Sequence, residues 1–413
     1  MIHTGKAQPA WLIVGQGAAG AAAARELRQL DSGAAITVIA SEQAGFYSRI
    51  DLPDIISGKR RPEEAVLQTP AQFQAAGICC LTGVQAVSIR PEEHCVVLAS
   101  GQQLHYDRLL LATGALPVRP ALPGITADGV YTLWTLEQTA AISLAAAEAG
   151  AAVVIGSGLI GLKTALALRQ RGLQVTVIER MNRVLPQQLD ETGAALLAAA
   201  LRARGIEILT GVQVEAVATA GGKVAGIRAG SWLVPCGLVV CAAGVKADTA
   251  LARTAGLEIG AGIRVNEFLQ TSGADIYAAG DAAEVLTVLD RQHCLSAGWP
   301  AAVEQGIIAA RNLSGRTREA YGGYLAKNSV EIAGVPLVSA GNVQGGDGAE
   351  VLVRQSGSAY KRLVIKNNRL HGFLLMGDIR QAGVLAGVMA RADAGGCRGA
   401  AGAAGSYVDL LAL

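Results

Sequence analysis

The sequence predicts an α/β fold with several domains, and three observations predict it. The chain has 413 residues, more than one hydrophobic core usually serves. Glycine supplies 52 of these residues and aromatic residues only 4%, so the apolar mass is mainly small aliphatic side chains, typical of helices packed on parallel strands. A strand, glycine turn, helix and strand follow one another twice, at residues 11–39 and 152–180. Together these features indicate two Rossmann-like dinucleotide-binding domains plus a C-terminal α/β cap domain.

The first glycine turn reads Gly15-x-Gly17-x-x-Gly20 and lies between an apolar strand and an alanine-rich helix. In this motif the first glycine permits the tight turn, the second lets the backbone approach a pyrophosphate, and the third lets the helix pack closely. The helix N-terminus then directs free N–H groups at the phosphates. The second strand ends at Ala40, and Glu42, two residues later, is the carboxylate predicted to contact this dinucleotide.

The second glycine turn, at residues 156–161, ends its strand on a carboxylate, Glu179. A carboxylate there accepts hydrogen bonds from the ribose hydroxyls of adenosine and repels a 2′-phosphate, which favours NADH over NADPH. The neighbouring Arg180 weakens this preference, because an arginine binds phosphate. The predicted contacts of this turn are Gly156, Gly158, Leu159, Ile160, Gly161 and Glu179.

Further helices and strands follow each unit. After the first unit the pattern predicts a helix near 69–76 and strands around 80–100 and 108–112. After the second it predicts a helix near 191–204, strands at 238–244 and 275–281, and a helix that begins after Trp299-Pro300. Strand-like segments then indicate a mixed α/β domain, and the Gly/Ala-rich tail at 395–405 is predicted to be mobile.

Composition argues against several classes of protein. The net charge is only +2, so the strongly basic surface of a nucleic-acid-binding domain is not expected. The seven cysteines are scattered without C-x₂-C pairs, which argues against a zinc site and favours a reducing compartment, the cytoplasm. No long apolar run precedes the first strand, so no signal peptide is predicted. The apolar stretch at 139–162 contains Glu148 and three clustered glycines, so it is not predicted to span a membrane.

The order of four motifs resembles the FAD-dependent pyridine nucleotide oxidoreductases of the glutathione reductase superfamily. The motifs are GxGxxG (15–20), LLLATGA (109–115), GSGLIG (156–161) and TSGADIYAAGDAAE (271–284), and the resemblance covers nearly all of residues 10–380. It implies FAD on the first unit and NADH, rather than NADPH, on the second. It also implies that Asp281 binds the ribitol hydroxyls of FAD. The other FAD contacts it implies are Ala112, Thr113, Gly114 and Gly280.

The resemblance also implies domain boundaries. Residues 1–118 and 246–315 are expected to form a discontinuous FAD-binding domain, and 119–245 an inserted NAD(H)-binding domain. Residues 316–413 are expected to form a C-terminal interface domain. Because such C-terminal domains often dimerise in this superfamily, a homodimer is an expectation.

The redox cysteines of the superfamily are missing from their usual place. Its disulfide reductases carry a CxxxxC pair on the helix after the first unit, whereas residues 45–59 of this chain contain no cysteine. Cys236 and Cys241 have that spacing, but they lie in a predicted strand, where residues five apart point to opposite faces. We interpret them as small apolar side chains of the core. Disulfide reduction through an enzyme dithiol is therefore disfavoured.

One branch of the superfamily transfers electrons without a thiol. The segment Tyr47-x-Arg49-x-x-Leu52 is similar to that of rubredoxin reductases, the ferredoxin reductases of oxygenase systems and the flavin module of NADH nitrite reductases. Residues 323–341 resemble the rubredoxin reductase branch, and Arg49 is expected beside the FAD phosphates. The implied function is hydride transfer from NADH to FAD, followed by single-electron transfer to a small acidic iron protein such as rubredoxin or ferredoxin.

Three other functions stay open. The chain is alternatively the flavin subunit of a larger, nitrite reductase-like complex, or a redox-sensing protein that binds flavin and NAD. A quinone reductase is a further alternative, although no amphipathic C-terminal anchor is evident. The basic Lys59–Arg61 segment is a candidate docking patch for the acidic partner, but we favour a solvated turn.

Two further expectations concern the flavin. Relatives commonly carry a lysine at the position of Asp54 and a glutamate at the position of Lys163. We predict that the two residues are catalytic and form an ion pair with exchanged charges, within ~4 Å and near the flavin N5, since an unpaired buried charge is costly; the alternative is two solvated surface charges. The helix that begins at Trp299 is expected to direct its N-terminus at the flavin, while Trp299 itself is either a flavin contact or a core anchor.

Overall fold

A computed structural model describes residues 10–391 of the chain. Its α-helices are α1 (Ala18–Leu30), α2 (Leu52–Ile56), α3 (Pro70–Ala75), α4 (Leu136–Glu148), α5 (Leu159–Gln170), α6 (Glu191–Ala203), α7 (Ala250–Thr254), α8 (Trp299–Ser314) and α9 (Ala382–Arg391). The first strands are β1 (Ala10–Val14), β2 (Ala35–Ala40), β3 (Phe46–Tyr47), β4 (Val66–Gln68), β5 (Cys79–Thr82), β6 (Ala86–Arg90), β7 (Cys95–Leu98), β8 (Gln103–His105), β9 (Arg108–Leu111), β10 (Ala115–Pro117), β11 (Val130–Thr132), β12 (Ala151–Ile155), β13 (Gln174–Glu179) and β14 (Ile206–Thr210). The remaining strands are β15 (Val214–Ala220), β16 (Lys223–Ala229), β17 (Trp232–Pro235), β18 (Leu238–Cys241), β19 (Val245–Ala247), β20 (Ile263–Arg264), β21 (Ile276–Ala278), β22 (Ala283–Leu286), β23 (His293–Leu295), β24 (Lys327–Ile332), β25 (Val335–Gly341), β26 (Ala349–Ser356), β27 (Ala359–Lys366) and β28 (Arg369–Met376).

The described chain divides into two units by its internal contacts. The first unit takes the residues up to Arg49 together with Pro62–Leu116 and Val245–Tyr324. The second takes Ile50–Arg61, Pro117–Gly244 and the described residues from Leu325 onward. Each unit is therefore discontinuous in sequence, because the second glycine-turn motif is inserted into the chain that builds the first unit.

The first unit is built on a five-stranded parallel sheet in the order β21-β9-β1-β2-β5. Helices α1 and α8 pack closely against each other. Small residues make this possible: a Cβ atom at Gly306 would lie 2.2 Å from the Ala19 carbonyl oxygen. The buried face of α1 consists largely of alanine, so the helix lies near the sheet, and Leu27 and Ile308 fill the remaining space.

The second unit repeats this plan with a parallel sheet in the order β11-β18-β12-β13-β14. Strands β12 and β13 flank α5 as β1 and β2 flank α1, which confirms the duplicated strand–turn–helix–strand unit. An antiparallel sheet of β15, β16 and β17 belongs to the same unit. Val153, Ile227 and Val239 lie in one of its apolar clusters.

The C-terminal part of the second unit contains both strands and a helix, as expected for a mixed α/β domain. Strands β24-β25-β28-β27-β26 form a purely antiparallel sheet, and α9 follows it. Short turns such as Asn367-Asn368, both at positive φ, connect neighbouring strands directly and leave no crossover helix. The tail at 395–405 lies outside the described residues.

Most predicted elements appear within a few residues of their expected positions. Helix α3 begins at Pro70, where the Thr69 hydroxyl accepts a hydrogen bond from the Gln72 N–H, and α8 begins at Trp299. The apolar stretch 139–162 comprises the end of α4, all of β12 and the start of α5. Between residues 10 and 391, no helix has both the length and the apolar character needed to cross a bilayer.

Candidate functional site

The first glycine turn joins β1 to α1, and backbone contacts require two of its glycines. Gly15 has φ of +112°, and its N–H donates to the Ile39 carbonyl oxygen at 2.8 Å. A Cβ atom at Gly15 would lie 2.0 Å from the Ala112 carbonyl oxygen, and one at Gly20 would lie 1.9 Å from the Gly15 carbonyl oxygen. A side chain at either position would therefore displace backbone.

Gly17 has neither of these constraints. Its φ of −73° and ψ of −168° suit any residue, and a Cβ atom there would meet no heavy atom of the described chain within 4 Å. Gly17 is the N-cap of α1, whose first turn has no side-chain cap and no acidic residue. The free N–H groups of the helix thus border open space, as a bound pyrophosphate requires.

Gln16, between the first two glycines, supplies a second indication of a ligand. The residue is 8% exposed, and its amide nitrogen donates to Cys80 Sγ at 3.0 Å. Its Oε1 atom is buried without a hydrogen-bond partner in the part of the chain that the structure describes. A buried acceptor without a donor is costly, and a dinucleotide in this turn brings donors. The residues of the first turn therefore fit the predicted FAD.

The second glycine turn repeats the geometry of the first. Gly156 has φ of +104°, and its N–H donates to the Ile178 carbonyl oxygen at 2.8 Å. A Cβ atom at Gly156 would lie 2.4 Å from the Ala242 carbonyl oxygen, and one at Gly161 would lie 2.1 Å from the Gly156 carbonyl oxygen. At Gly158, by contrast, a Cβ atom would meet no heavy atom of residues 10–391 within 4 Å. Leu159 and Ile160 form the first turn of α5.

Glu179 lies at the end of β13 and is only 9% exposed. Its Oε2 atom accepts hydrogen bonds from the N–H and the hydroxyl of Ser157, both at 2.8 Å, and its Oε1 atom accepts one from the Met181 N–H at 2.8 Å. These donors orient the carboxylate next to the glycine turn. A carboxylate has about four acceptor positions, so three donors leave one for a ribose hydroxyl. The exposed Arg180 follows directly.

Glu42 and Arg49, both predicted FAD contacts, lie together in the first unit. The Glu42 carboxylate accepts hydrogen bonds from the Tyr47 hydroxyl at 2.5 Å and from the Arg49 guanidinium at 2.6 Å. Arg49 also donates to the Tyr47 hydroxyl at 2.9 Å and lies over its ring. The ion pair is about one-third exposed, so it remains accessible to a ligand.

Asp281 lies in a single 3₁₀ turn, Gly280–Ala282, directly after β21. Burial raises the pKa of its carboxyl, while the Gly298 N–H and the positive charge of Arg49 act in the opposite direction. Gly280 has φ of +77°, and its N–H donates to Gln305 Oε1 at 2.8 Å. Helix α8 therefore holds the turn that carries Asp281.

The segment 112–114 passes close to the first glycine turn. The Ala112 N–H donates to the Val14 carbonyl oxygen at 2.8 Å, and the Thr113 hydroxyl donates to the Asp248 carbonyl oxygen at 2.7 Å. Gly114 has φ of +73°, and its carbonyl oxygen accepts from the Asp248 N–H at 2.9 Å. The conformation of these three residues is therefore fixed.

Trp299 is the first residue of α8, and its side chain stacks on Phe46 with ring centroids 5.3 Å apart. It also packs against the core of the first unit. The helix has no side-chain cap and no acidic residue in its first turn. Trp299 therefore anchors α8, and the N-terminus of the helix has the positive character predicted for a flavin contact.

The expected ion pair between Asp54 and Lys163 is not present. Helices α2 and α5 do pack together, but no nitrogen–oxygen distance of 4.0 Å or less joins the two side chains in the structure between residues 10 and 391. Both side chains are partly exposed. The physical reason is that water solvates each charge, so a pair gains little over two separate charges.

Cys236 and Cys241 have the structural role expected of them. Cys236 and Cys241 are both buried and unbonded to another cysteine, and burial raises the pKa of each thiol to about 11. They pack among Val153, Ile155 and Val239, which confirms that they serve as small apolar side chains. A thiol with so high a pKa is a poor nucleophile at neutral pH.

Sequence reasoning missed three of these contacts. It did not find the bonds from Ser157 to Glu179, from Gln16 to Cys80, or from Gln305 to Gly280. The first two involve variable positions of the glycine motif, for which spacing predicts nothing. The only signal for the third was a glutamine on the buried face of a helix next to a glycine–aspartate turn.

Residues 9–306 match the family described as pyridine nucleotide-disulphide oxidoreductase, and residues 327–392 match the rubredoxin NAD+ reductase C-terminal domain. The chain belongs to the pyridine nucleotide-disulphide oxidoreductase family. This confirms the predicted family, the fold of two dinucleotide-binding domains and a C-terminal domain, and the class of NAD(P)H-dependent oxidoreductase. FAD and NADH are accordingly its cofactors.

Individual relatives of this family are similar over most of the chain. The assimilatory nitrate reductase electron transfer subunit of Bacillus subtilis is 32% identical over 89% of this chain and 48% of its own length. The NADH oxidase of Methanocaldococcus jannaschii is 34% identical over 74% of this chain and 70% of its own. The crystal structure of a ferredoxin reductase from Rhodopseudomonas palustris has a TM-score of 0.83 at 28% identity, covering 90% of this chain and 91% of that one. The chain thus spans about half the length of the Bacillus subtilis relative.

Proposed function

We propose that this oxidoreductase passes a hydride from NADH to FAD and then delivers electrons singly to a small iron protein of the rubredoxin or ferredoxin type. One observation carries the proposal. The chain has two glycine turns, each with a second glycine whose Cβ position is open, and no cysteine in the segment 45–59. It therefore has places for two dinucleotides and lacks a dithiol between them and an external acceptor.

The residues of the first unit would bind and orient FAD. The Gly17 backbone and the N-terminus of α1 would hold the pyrophosphate, with Arg49 adding positive charge beside Glu42. Asp281 would accept hydrogen bonds from the ribitol, and the buried Gln305 fixes the turn that carries it. When bound, FAD accepts a hydride and releases electrons one at a time, which no side chain of this protein can do.

The residues of the second unit would bind NADH in preference to NADPH. Gly158 and the N-terminus of α5 would hold the pyrophosphate, and Glu179 would accept a hydrogen bond from the adenosine ribose. The three donors on Glu179 keep it oriented, and a 2′-phosphate beside this carboxylate would be repelled. Leu159 and Ile160, in the first turn of α5, would contact the nucleotide.

A visible spectrum tests the cofactor assignment first. The purified protein should be yellow, and anaerobic addition of NADH should bleach it at a lower concentration than NADPH. A colourless protein that does not take up FAD would refute the proposal. Bleaching at equal concentrations of the two nucleotides would refute the assignment of Glu179.

A screen of acceptors tests the partner. After reduction by NADH, the flavin should be reoxidised rapidly by an acidic rubredoxin or ferredoxin and slowly by a basic electron carrier of similar potential. Equal rates with both would contradict charge complementarity. The Lys59–Arg61 segment is a weak docking candidate, because Arg60 already pairs with Asp51 at 2.8 Å. Lys59→Ala should therefore change the reoxidation rate less than twofold, as expected for a solvated turn.

A second function, as the flavin subunit of a larger reductase, is favoured by the match to an electron transfer subunit over 89% of this chain. Flavin reduction without turnover by any carrier, together with co-purification of a partner that holds a redox centre, would support it. Flavin reduction without turnover and without such a partner would instead support a redox-sensing protein.

We also propose a reducing compartment, the cytoplasm, because the six described cysteines are free. The expected homodimer is tested by light scattering.

A further inference from the structure

The loop between β13 and α6 contains a strained residue that contacts the nucleotide-binding turn. Leu185 has φ of +44°, in the left-handed region, and its side chain is fully buried. A bulky residue adopts this conformation only where its surroundings hold it there. The Leu185 N–H donates to the Ser157 carbonyl oxygen at 3.1 Å. Ser157 in turn holds the Glu179 carboxylate through its N–H and hydroxyl.

The C-terminal sheet supplies hydrogen bonds to this loop. The Gln344 amide nitrogen donates to the Pro186 carbonyl oxygen at 3.1 Å and to the Leu189 carbonyl oxygen at 3.0 Å. Its Oε1 atom accepts from the Arg183 guanidinium at 2.9 Å. One exposed amide thus bonds to the loop on both sides of Leu185.

Arg362, on β27, fixes Gln344 and the start of α6 together. Its guanidinium donates to the Val343 carbonyl oxygen at 2.9 Å, to the Gln344 carbonyl oxygen at 3.0 Å and to the Asp190 carboxylate at 3.3 Å. The Tyr360 hydroxyl donates to the same carboxylate at 2.5 Å, and Asp190 is the N-cap of α6. The side chains of Arg362 and Asp190 are 15% and 12% exposed, so this ion pair is largely shielded from water.

We propose that Gln344 and Arg362 are positioning residues for pyridine nucleotide recognition by Glu179. They hold the 183–189 loop so that the strained Leu185 fixes Ser157, and Ser157 orients the carboxylate. The C-terminal sheet thereby sets the preference for NADH over NADPH without contacting the nucleotide. The inference rests on the proposed binding of NADH by the second glycine turn, and it adds residues that no motif of that turn contains.

Gln344→Glu is the decisive variant. Glutamate keeps the side-chain size and the acceptor for Arg183 but loses both donated hydrogen bonds. Because Gln344 is exposed, the variant should stay folded and retain its FAD, with only a small fall in melting temperature. The dissociation constant of NAD+, measured by titration calorimetry, should rise about fivefold, as expected for losing two exposed hydrogen bonds. The KM for NADH should rise in parallel with kcat unchanged, and the NADH-to-NADPH preference should fall. Gln355→Glu, which introduces the same charge at an exposed glutamine of the same sheet, is the matched control.

A double-mutant cycle separates positioning from general destabilisation. In a Glu179→Ala background, Gln344→Glu should have no further effect on NAD+ affinity, because the carboxylate that Gln344 helps to orient is absent. Equal effects of Gln344→Glu with and without Glu179 would overturn the inference, as would unchanged NAD+ affinity in the single variant. If the parent protein binds no NAD+ at all, the proposed function fails instead. Arg362→Lys, which loses the forked contacts but keeps the charge, should weaken NAD+ binding in the same direction.

Discussion

The glycines of the two turns illustrate how residues of one type are required for different reasons. Gly15 and Gly156 need positive φ, and Gly20 and Gly161 need the absence of a Cβ atom against backbone oxygen. The second glycine of each turn, by contrast, is required by nothing in the described protein. We attribute its requirement to the proposed ligand, so mutation should separate stability from binding.

Gly158→Ala and Gly161→Ala test this separation. Gly158→Ala should cost less than about 1 kcal/mol of unfolding free energy, the loss expected at an N-cap. It should nevertheless weaken NADH binding about tenfold, because the methyl group occupies the path of the pyrophosphate to the backbone. Gly161→Ala should lower stability by about 2 kcal/mol, since its Cβ would lie 2.1 Å from a carbonyl oxygen. Thermal melts and NADH titrations measure both; equal losses of stability would contradict the distinction.

Asp281 predicts a specific pH dependence. Burial raises its pKa, so the folded protein holds this proton more tightly than the unfolded chain. Its contribution to stability therefore declines as pH rises from the usual aspartate range through the raised pKa. In FAD-free protein, Asp281→Asn should be more stable than the parent at pH 7, and this difference should disappear at low pH. The same variant should bind FAD more weakly. Melting temperatures between pH 4 and pH 8 test the first statement, and a constant difference would contradict it.

At the scale of elements, α8 connects the Gly280–Ala282 turn, which is proposed to contact FAD through Asp281, to the core of the first unit. Gln305 is fully buried on this helix and donates to the Ser296 hydroxyl at 2.7 Å while accepting from the Gly280 N–H. The close approach of α8 to α1 depends on Gly306. The helix therefore fixes the turn that carries Asp281 relative to the sheet of the first unit.

Gln305→Leu should destabilise the turn that carries Asp281. Leucine has a similar volume but leaves the Gly280 N–H and the Ser296 hydroxyl without their partner, at a cost of about 1–3 kcal/mol for each buried group. FAD should dissociate more readily, which dilution followed by flavin fluorescence measures. Gln170→Leu, at an exposed glutamine that ends α5, is the control. It should change neither the free energy of unfolding nor the dissociation of FAD. FAD retention equal to the parent would show that α8 does not hold the turn.

The sequence predicted helices and strands correctly where a periodic apolar pattern was next to a glycine turn motif. The two glycine motifs predicted β1, α1, α5 and β13 because spacing, strand and helix must coincide for the turn to form. The antiparallel C-terminal sheet was not predicted as such, because alternating apolar residues do not show which strands pair. The predicted ion pair between Asp54 and Lys163 was wrong. The sequence shows which charges are present, but it does not show how far water reaches each of them.

At the scale of the whole molecule, the contact-based units do not follow the chain in order. Residues 50–61 belong with the second unit, although they lie between two segments of the first. Sequence similarity placed domain boundaries near residues 118 and 245. It gave no signal that residues 50–61 belong with the second unit. Such segments are fixed by tertiary packing, in this case of α2 with α4 and α5.

Ligand binding should stabilise the molecule selectively. NAD+ at about 100 times its dissociation constant should add about 2.7 kcal/mol to the free energy of unfolding. NADP+ at the same concentration should add far less, because Glu179 opposes its phosphate. Differential scanning fluorimetry of the FAD-loaded protein measures both shifts. Equal shifts, or a larger one with NADP+, would contradict the proposed preference.

The cluster of donors around Glu179 has a consequence for redesigning coenzyme choice. Two backbone N–H groups and one hydroxyl converge on the carboxylate, with the exposed Arg180 next in the chain. Removing the carboxylate would free these three donors to bind another anion, as backbone amides do around phosphate. Conversion to the phosphorylated coenzyme would thus require the removal of one acid rather than the construction of a new basic pocket.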